Sequence, residues 1–287
     1  MMNPLNKLIL GTVQFGHPYG INNSTGKVAK ADVATIIAEA KANGITILDT
    51  SYSYGDSEAV LGELLDKDDY FKIVSKLPRT TENPKSIFKE TTERLKRNKL
   101  YGYLVHHFDY FRENPDIWIA IQTLKKEGLI EKIGFSLYHV EELEYLFSNQ
   151  VDFDLVQFPY NLLDRAFEPY LKELKQRNIE VHTRSVFLQG LFFKPVEQLP
   201  EKLKPLTPYL LAMSKFCEEQ DITIEELALN GVIHHSCIDG VLVGVDTIAQ
   251  LQKNIKSIWP EMTSNIREFI DTLDVKEKEL LNPVNWI

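Results

Sequence analysis

Short apolar runs and helical patterns alternate eight times along this chain of 287 residues. The runs cover residues 8–11, 45–48, 71–74, 101–105, 130–135, 153–156, 179–181 and 240–243, most of them rich in Ile, Val, Leu or aromatics. Brief runs without strict alternation suit strands buried on both faces of a parallel sheet. Between them, Val33, Ile36, Ile37 and Ala40 recur at helical spacing, with Gly44 as the stop. Val60, Leu61, Leu64 and Leu65 follow Asp56, which reads as an N-cap. Asn83-Pro84 opens a helix whose buried face is Ile87, Phe88, Thr91 and Leu95. Further helices are expected over 114–127, 140–147, 164–177 and 247–257. Eight β–α alternations predict an α/β fold, a closed (β/α)8 TIM barrel. The runner-up is an open doubly wound sheet, but GTVQFGHPYG after the first run does not fit a G-x-G-x-x-G turn.

The connection between residues 181 and 240 is longer than the rest and holds a loop over 187–207 and two helices, near 208–220 and 223–234. An extended loop with an extra helix around 187–235 is a natural cover for a barrel's active face. No linker, repeat or low-complexity tract divides the chain, so 1–287 reads as one domain.

Barrel chemistry sits where strands end. Asp49 closes the second run, with Thr50 after it and Tyr54 five positions on; IVSK carries the third run into Lys76. The fourth ends in His106 and His107, the fifth in Ser136, the sixth in Gln157, and the seventh in His182, Arg184 and Ser185. An acid, a phenol, an ammonium and an imidazole on one rim make an acid–base unit. A carbonyl that accepts hydride needs a proton donor at its oxygen, and a free tyrosine, with a pKa of about 10, is a reluctant acid. A neighbouring lysine is expected to lower that pKa, an aspartate to hold the lysine, and a neutral histidine to orient the carbonyl.

Charge and cysteine usage exclude other classes. The net charge of −9 disfavours a duplex nucleic-acid partner, which needs a basic face. Two cysteines, Cys217 and Cys237, are too few for a disulfide framework or a metal cluster and fall in apolar stretches, so both are expected in the core. The adjacent pairs His106-His107 and His234-His235 suit one metal ion poorly, and no metal is expected. The opening residues lack a signal-peptide pattern and no apolar run reaches membrane-spanning length, which points to the cytoplasm and no membrane partner.

The segment GITILDTSYSYGDSEAVLG, residues 44–62, resembles the signature of the aldo-keto reductases, G-I-x-x-x-D-T-A-x-x-Y-G-x-S-E-x-x-L-G, with Ser51 where Ala is usual. LILGTVQFG, IVSKL, YLVHHF, EKIGFSLYHVEEL, VQFPYNLLDR, VHTRSVFLQGL and GVLVGVDTIAQLQKNI continue the similarity in order along nearly the whole chain. The resemblance implies NAD(P)H-dependent reduction of a small carbonyl substrate, with Tyr54 as general acid, Lys76 and Asp49 tuning it, and His106 positioning the carbonyl. It assigns Ser136 and Gln157 to the nicotinamide carboxamide. Ser185 and the main chain of Leu188–Gly190 go to the pyrophosphate. Gly244, Gln250 and Asn254 go to the adenosine end, and Thr12 joins the cofactor set.

Departures from the pattern shape the expectations. Ser136 is followed by Leu137 where the family has Asn, which removes one carboxamide ligand. Arg184 replaces an aromatic that stacks on nicotinamide in many members; its planar guanidinium can stack instead or bind an anionic substrate group. Asp246 stands where members selective for NADPH carry Lys or Arg, able to repel a 2′-phosphate or bond a 2′-OH, with Lys253 as a compensating cation. NADPH is the default cofactor and NADH the close alternative. Around the pocket mouth, His17, Tyr19, Tyr52, His107, Phe108, Trp286 and Ile287 are candidate substrate or lid residues, and His107 in place of a Trp points to a hydroxylated or sugar-derived carbonyl. The competing function is a cofactor-binding regulator with little turnover, since a fold does not dictate an activity.

Overall fold

In a computed structural model, which describes residues 3–23, 26–65 and 70–286, each strand pairs in parallel with the next and the last closes on the first. The strands are β1 (Leu8–Gly11), β2 (Ile47–Asp49), β3 (Lys72–Leu77), β4 (Leu100–Val105), β5 (Ile130–Ser136), β6 (Leu155–Pro159), β7 (Glu180–Arg184) and β8 (Gly240–Gly244). Closure is the β1–β8 pairing, with Leu8 opposite Val241 and Gly11 opposite Gly244. The chain is therefore a (β/α)8 barrel.

The helices are α1 (Lys30–Ala42), α2 (Ser57–Leu64), α3 (Pro84–Leu95), α4 (Phe108–Glu113), α5 (Asp116–Lys126), α6 (Val140–Ser148), α7 (Leu171–Gln176), α8 (Thr207–Gln220), α9 (Ile224–Ile233), α10 (Ile248–Lys256) and α11 (Ser264–Thr272). They form around apolar faces that local pattern makes visible: α1 buries Val33, Ile36, Ile37 and Ala40. At α3 the Asn83 side chain accepts from the Lys85 N–H and Pro84 occupies the first turn, as expected.

Several boundaries differ from the sequence reading. The helix expected over 114–127 is α5, which begins just after Pro115, and the short α4 before it was not anticipated. Pro169 turns the start of the expected 164–177 helix into a 3-10 turn, Glu168–Tyr170, and leaves α7 short. Asp56 stands at the N-cap of α2, but its carboxylate reaches Lys27 at 2.7 Å rather than a helix N–H. α11, which buries only Ile266 and Ile270, was not anticipated. β3, β6 and β7 run beyond their apolar stretches, because polar side chains at that end of the barrel satisfy one another.

One apolar cluster joins the strands to the surrounding helices; a second lies under 188–217 and α11. Cys217 is buried in the second, and Cys237 packs half-buried against the first. Among the described residues no helix is long and apolar enough to cross a membrane.

Candidate active site

The register of the barrel brings the chemistry to one end. Gly11, Asp49 and Gly244 are paired at one level through β1, and Ser136 faces Gln157 across β5–β6. Lys76, fully buried, donates to Asp49 Oδ1 at 2.6 Å and to the Thr50 carbonyl at 2.8 Å. Gln157 Nε2 donates to the other carboxylate oxygen at 2.8 Å. The Thr12 hydroxyl donates to the Asp49 carbonyl at 3.0 Å, and Ser57 Oγ donates to the Thr12 carbonyl at 2.9 Å. A buried ion pair persists only when its remaining lone pairs and protons find partners, and this one has them.

Tyr54 stands over the pair, with the Lys76 ammonium 5.1 Å from its ring centre. The His106 ring meets it edge-on at 5.9 Å, and His106 Nδ1 lies 3.1 Å from Ser51 Oγ. Because Ser51 Oγ already accepts the Ser53 N–H at 3.2 Å, its own proton is available to Nδ1. The serine that departs from the family pattern thus orients the histidine. Gly16 lets the loop after β1 pass against the Tyr54 turn: a Cβ there would stand 1.7 Å from the Tyr54 carbonyl oxygen.

Burial holds the Tyr54 phenol well above its ordinary value of 10, and the Asp49 carboxylate adds to the shift while Arg184 opposes it. Burial lowers Lys76, against the pull of Asp49. Burial, then the charge of Lys76, keeps the His106 imidazole well below 6.5 and hence neutral near pH 7. The expected lowering of the tyrosine by the lysine is not what this geometry produces. The ammonium is matched by Asp49 at contact distance, so little of its field is left for the phenol.

A cavity of about 500 Å³ runs from this cluster along the loops after β7 and β8. Asp49, Tyr54, Thr12, Gln157, Arg184, Ser185, Gly190, Gly244, Asp246, Gln250, Asn254 and Tyr19 line it. Ser136 is buried beside Gln157 and lies behind the wall. Leu188 packs into the second apolar cluster; its neighbours Gln189 and Gly190 meet the cavity, through a backbone with positive φ at 188–190.

Other candidates face elsewhere. Tyr52 turns outward, donating to Glu90 at 2.8 Å under the Arg94 guanidinium, so it is not a pocket residue. Phe108 is core, packed on Phe111 and Phe135. His107 precedes α4, half-buried, with its ring 4.7 Å from that of His106. His17 is tied to the Ser53 carbonyl at 3.2 Å, and Trp286 donates to the Leu280 carbonyl at 2.7 Å against the second cluster. Ile287 lies outside the described residues. Lys253 lines the cavity but pairs with Glu225 at 2.6 Å. Among the described residues no group of three or more His, Cys, Asp or Glu is arranged to hold a metal ion.

Gln14, Asn22, Asn23, Phe187, Phe193 and Glu225 also line the cavity and were missed. Their residue types carry no local signal. Gln14, Asn22 and Asn23 arrive because the loop after β1 folds across the barrel end, where Asn22 Nδ2 donates to the Gly190 carbonyl at 2.7 Å and Asn23 Nδ2 to Asp246 at 2.9 Å; Phe187, Phe193 and Glu225 come from the long connection between β7 and β8.

The model of the aldo/keto reductase family matches residues 7–273. L-galactose dehydrogenase of Arabidopsis thaliana is 28% identical over 81% of this chain and 80% of its own length. The NADH-specific methylglyoxal reductase of Escherichia coli K12 is 24% identical over 88% and 90%. An aldo-keto reductase from Bacillus halodurans, in its holo form, superposes with a TM-score of 0.76 over 95% of this chain and 94% of its own, at 20% identity. With the match spanning the barrel and the polar cluster at its rim, the chain belongs to the aldo/keto reductase family, a family of oxidoreductases.

Proposed function

We propose that the protein is an NAD(P)H-dependent reductase that converts an aldehyde or ketone to an alcohol, with Tyr54 as the general acid. The observation that carries this reading is the stack of groups at the cavity end: the Tyr54 phenol on the wall, the buried Lys76–Asp49 pair beneath it, and a neutral His106 beside it.

The cavity fits a dinucleotide in its chemistry. Gln14 Oε1 is buried without a partner on its wall, and Gly244 approaches so closely that a Cβ would stand 2.5 Å from the Gln14 amide. Gln157, Ser185, Gly190, Gln250 and Asn254 are the residues that would hold the cofactor, which supplies the hydride when bound. The protein's own part is the proton. The His106 imidazole, neutral, offers an N–H to the substrate oxygen, and the Tyr54 hydroxyl gives its proton to that oxygen as charge develops there. Donors aimed at such charge in a dry site each contribute about 2–4 kcal/mol. The fixed Lys76–Asp49 pair keeps the floor of the site rigid, so little reorganisation is needed at the moment of transfer.

Titration with NADPH and NADH by intrinsic fluorescence, followed by a carbonyl panel, tests the reading. Tyr54→Phe is expected to lower kcat about 10³-fold while cofactor affinity changes little. Undiminished turnover in that variant would remove Tyr54 from the role. Tight cofactor binding with no turnover on sugars, small aldehydes or ketones would instead favour the regulator.

A further inference from the structure

The reacting end of the cavity holds one charged side chain without an ion-pair contact among the described residues. Lys76 and Asp49 neutralise each other at 2.6 Å, and His106 and His107 are both lowered by burial. Burial raises Tyr54 and Tyr19, the latter to about 12, so both are protonated near neutral pH. Arg184 remains. Its NH2 donates to the Leu137 carbonyl at 3.0 Å and its guanidinium lies 4.0 Å from the Tyr138 ring centre, and it makes no ion pair among the described residues. Burial raises Asp164, on the loop after β6, and although it feels the Arg184 field it makes no ion-pair contact with the guanidinium; its carboxylate accepts from the Ala166 N–H at 3.3 Å. A guanidinium has five donors in a fixed fork, and the contacts to Leu137 and Tyr138 hold it in place without using most of them.

We propose that Arg184 binds a carboxylate on the substrate, so that the carbonyl compounds this protein reduces are oxo acids, including acidic sugar aldehydes. The carboxylate takes no part in bond-making; it anchors the substrate while the carbonyl oxygen faces Tyr54 and His106. This rests on the reductase reading. A cofactor pyrophosphate shares the anionic chemistry, but Arg184 ends β7 against Leu137 and Tyr138 after β5 and lines the cavity with Tyr54 and Tyr19, and its charge acts on Tyr54, Tyr19, Lys76 and His106 as well as on Asp164. Asp246, on the loop after β8, is raised by burial and lowered in part by its hydrogen bonds with Asn23 and Gln250, with no contribution from Arg184.

Two measurements test it. The first compares kcat/KM for 4-oxobutanoate and butanal, a matched pair differing in the carboxylate, in the wild type, Arg184→Met and Arg184→Lys. The wild type is expected to prefer the oxo acid by about 30-fold, a typical worth of hydrogen bonds to a charged group. Arg184→Met should bring that ratio within about threefold of one, mainly through KM, and Arg184→Lys should restore part of it, since an ammonium lacks the bidentate fork. The second measures binding of butanoate and butanamide to the protein loaded with NADH or NADPH, which requires no turnover. Butanoate should bind more tightly than butanamide, and only while Arg184 is present. Equal kcat/KM for the two aldehydes in the wild type would overturn the proposal and leave the reductase reading standing. Arg184-dependent butanoate binding without turnover on any carbonyl would uphold this site and overturn the reductase reading. A tenfold loss of NADH and NADPH affinity in Arg184→Met, with the substrate ratio unmoved, would reassign the guanidinium to the cofactor and overturn the proposal.

Discussion

Tyr54 and His106 are moved in opposite directions by the same cause. Burial disfavours the charged form of each, so the phenol is pushed up from 10 and the imidazole down from 6.5. The pH profile of reduction follows from the signs. Tyr54 keeps its proton as pH rises past the ordinary tyrosine range, and His106 stays neutral as pH falls through 6.5. Carbonyl reduction, followed as kcat at saturating cofactor, should therefore be nearly flat from about pH 6 to about pH 9. A limb centred near pH 7 would mean that a different group supplies the proton. Asp49, Tyr54, Lys76 and His106 were legible because strand ends announce them. Tyr52, two positions from Tyr54, was not: Glu90 and Arg94 on α3 decide which way it turns.

At the scale of elements, α2 and α3 meet where Gly62 has no side chain. A Cβ on Gly62 would stand 2.0 Å from the Arg94 carbonyl oxygen, which is backbone and cannot swing away. Gly62→Ala should destabilise the fold by about 2 kcal/mol through forced separation of the two helices. A lower urea midpoint with an unchanged slope would report it, and an unshifted midpoint would show that α2 can slide at no cost. Helix cores read well from spacing, as at α1 and α3, because local periodicity decides them. Boundaries read less well where a proline or a remote partner intervenes. Pro169 cut back the start of one expected helix, and Lys27, distant in sequence, holds the Asp56 carboxylate.

The cavity belongs to the whole molecule. It joins Asn23 on the loop after β1 to Asp246 after β8, where the lining Lys253 is already paired to Glu225. A second phosphate beside the Asp246 carboxylate would meet like charge, with Lys253 already engaged by Glu225. Asp246→Ser should therefore shift the ratio of NADPH to NADH affinity about tenfold toward NADPH. An unmoved ratio would mean that Asp246 does not face the adenosine ribose.

The sequence by itself determined the order of eight β–α units and the polar residues that end their strands, because both are local properties of spacing and composition. Only the tertiary structure decided the register in which β8 closes on β1, that Gln157 shares the Asp49 carboxylate with Lys76, that Ser51 meets His106, and that Arg184 rests on Leu137 and Tyr138 without an ion pair among the described residues. Those are pairings between residues far apart in the chain. Register and closure set them, and no periodicity within a segment encodes them.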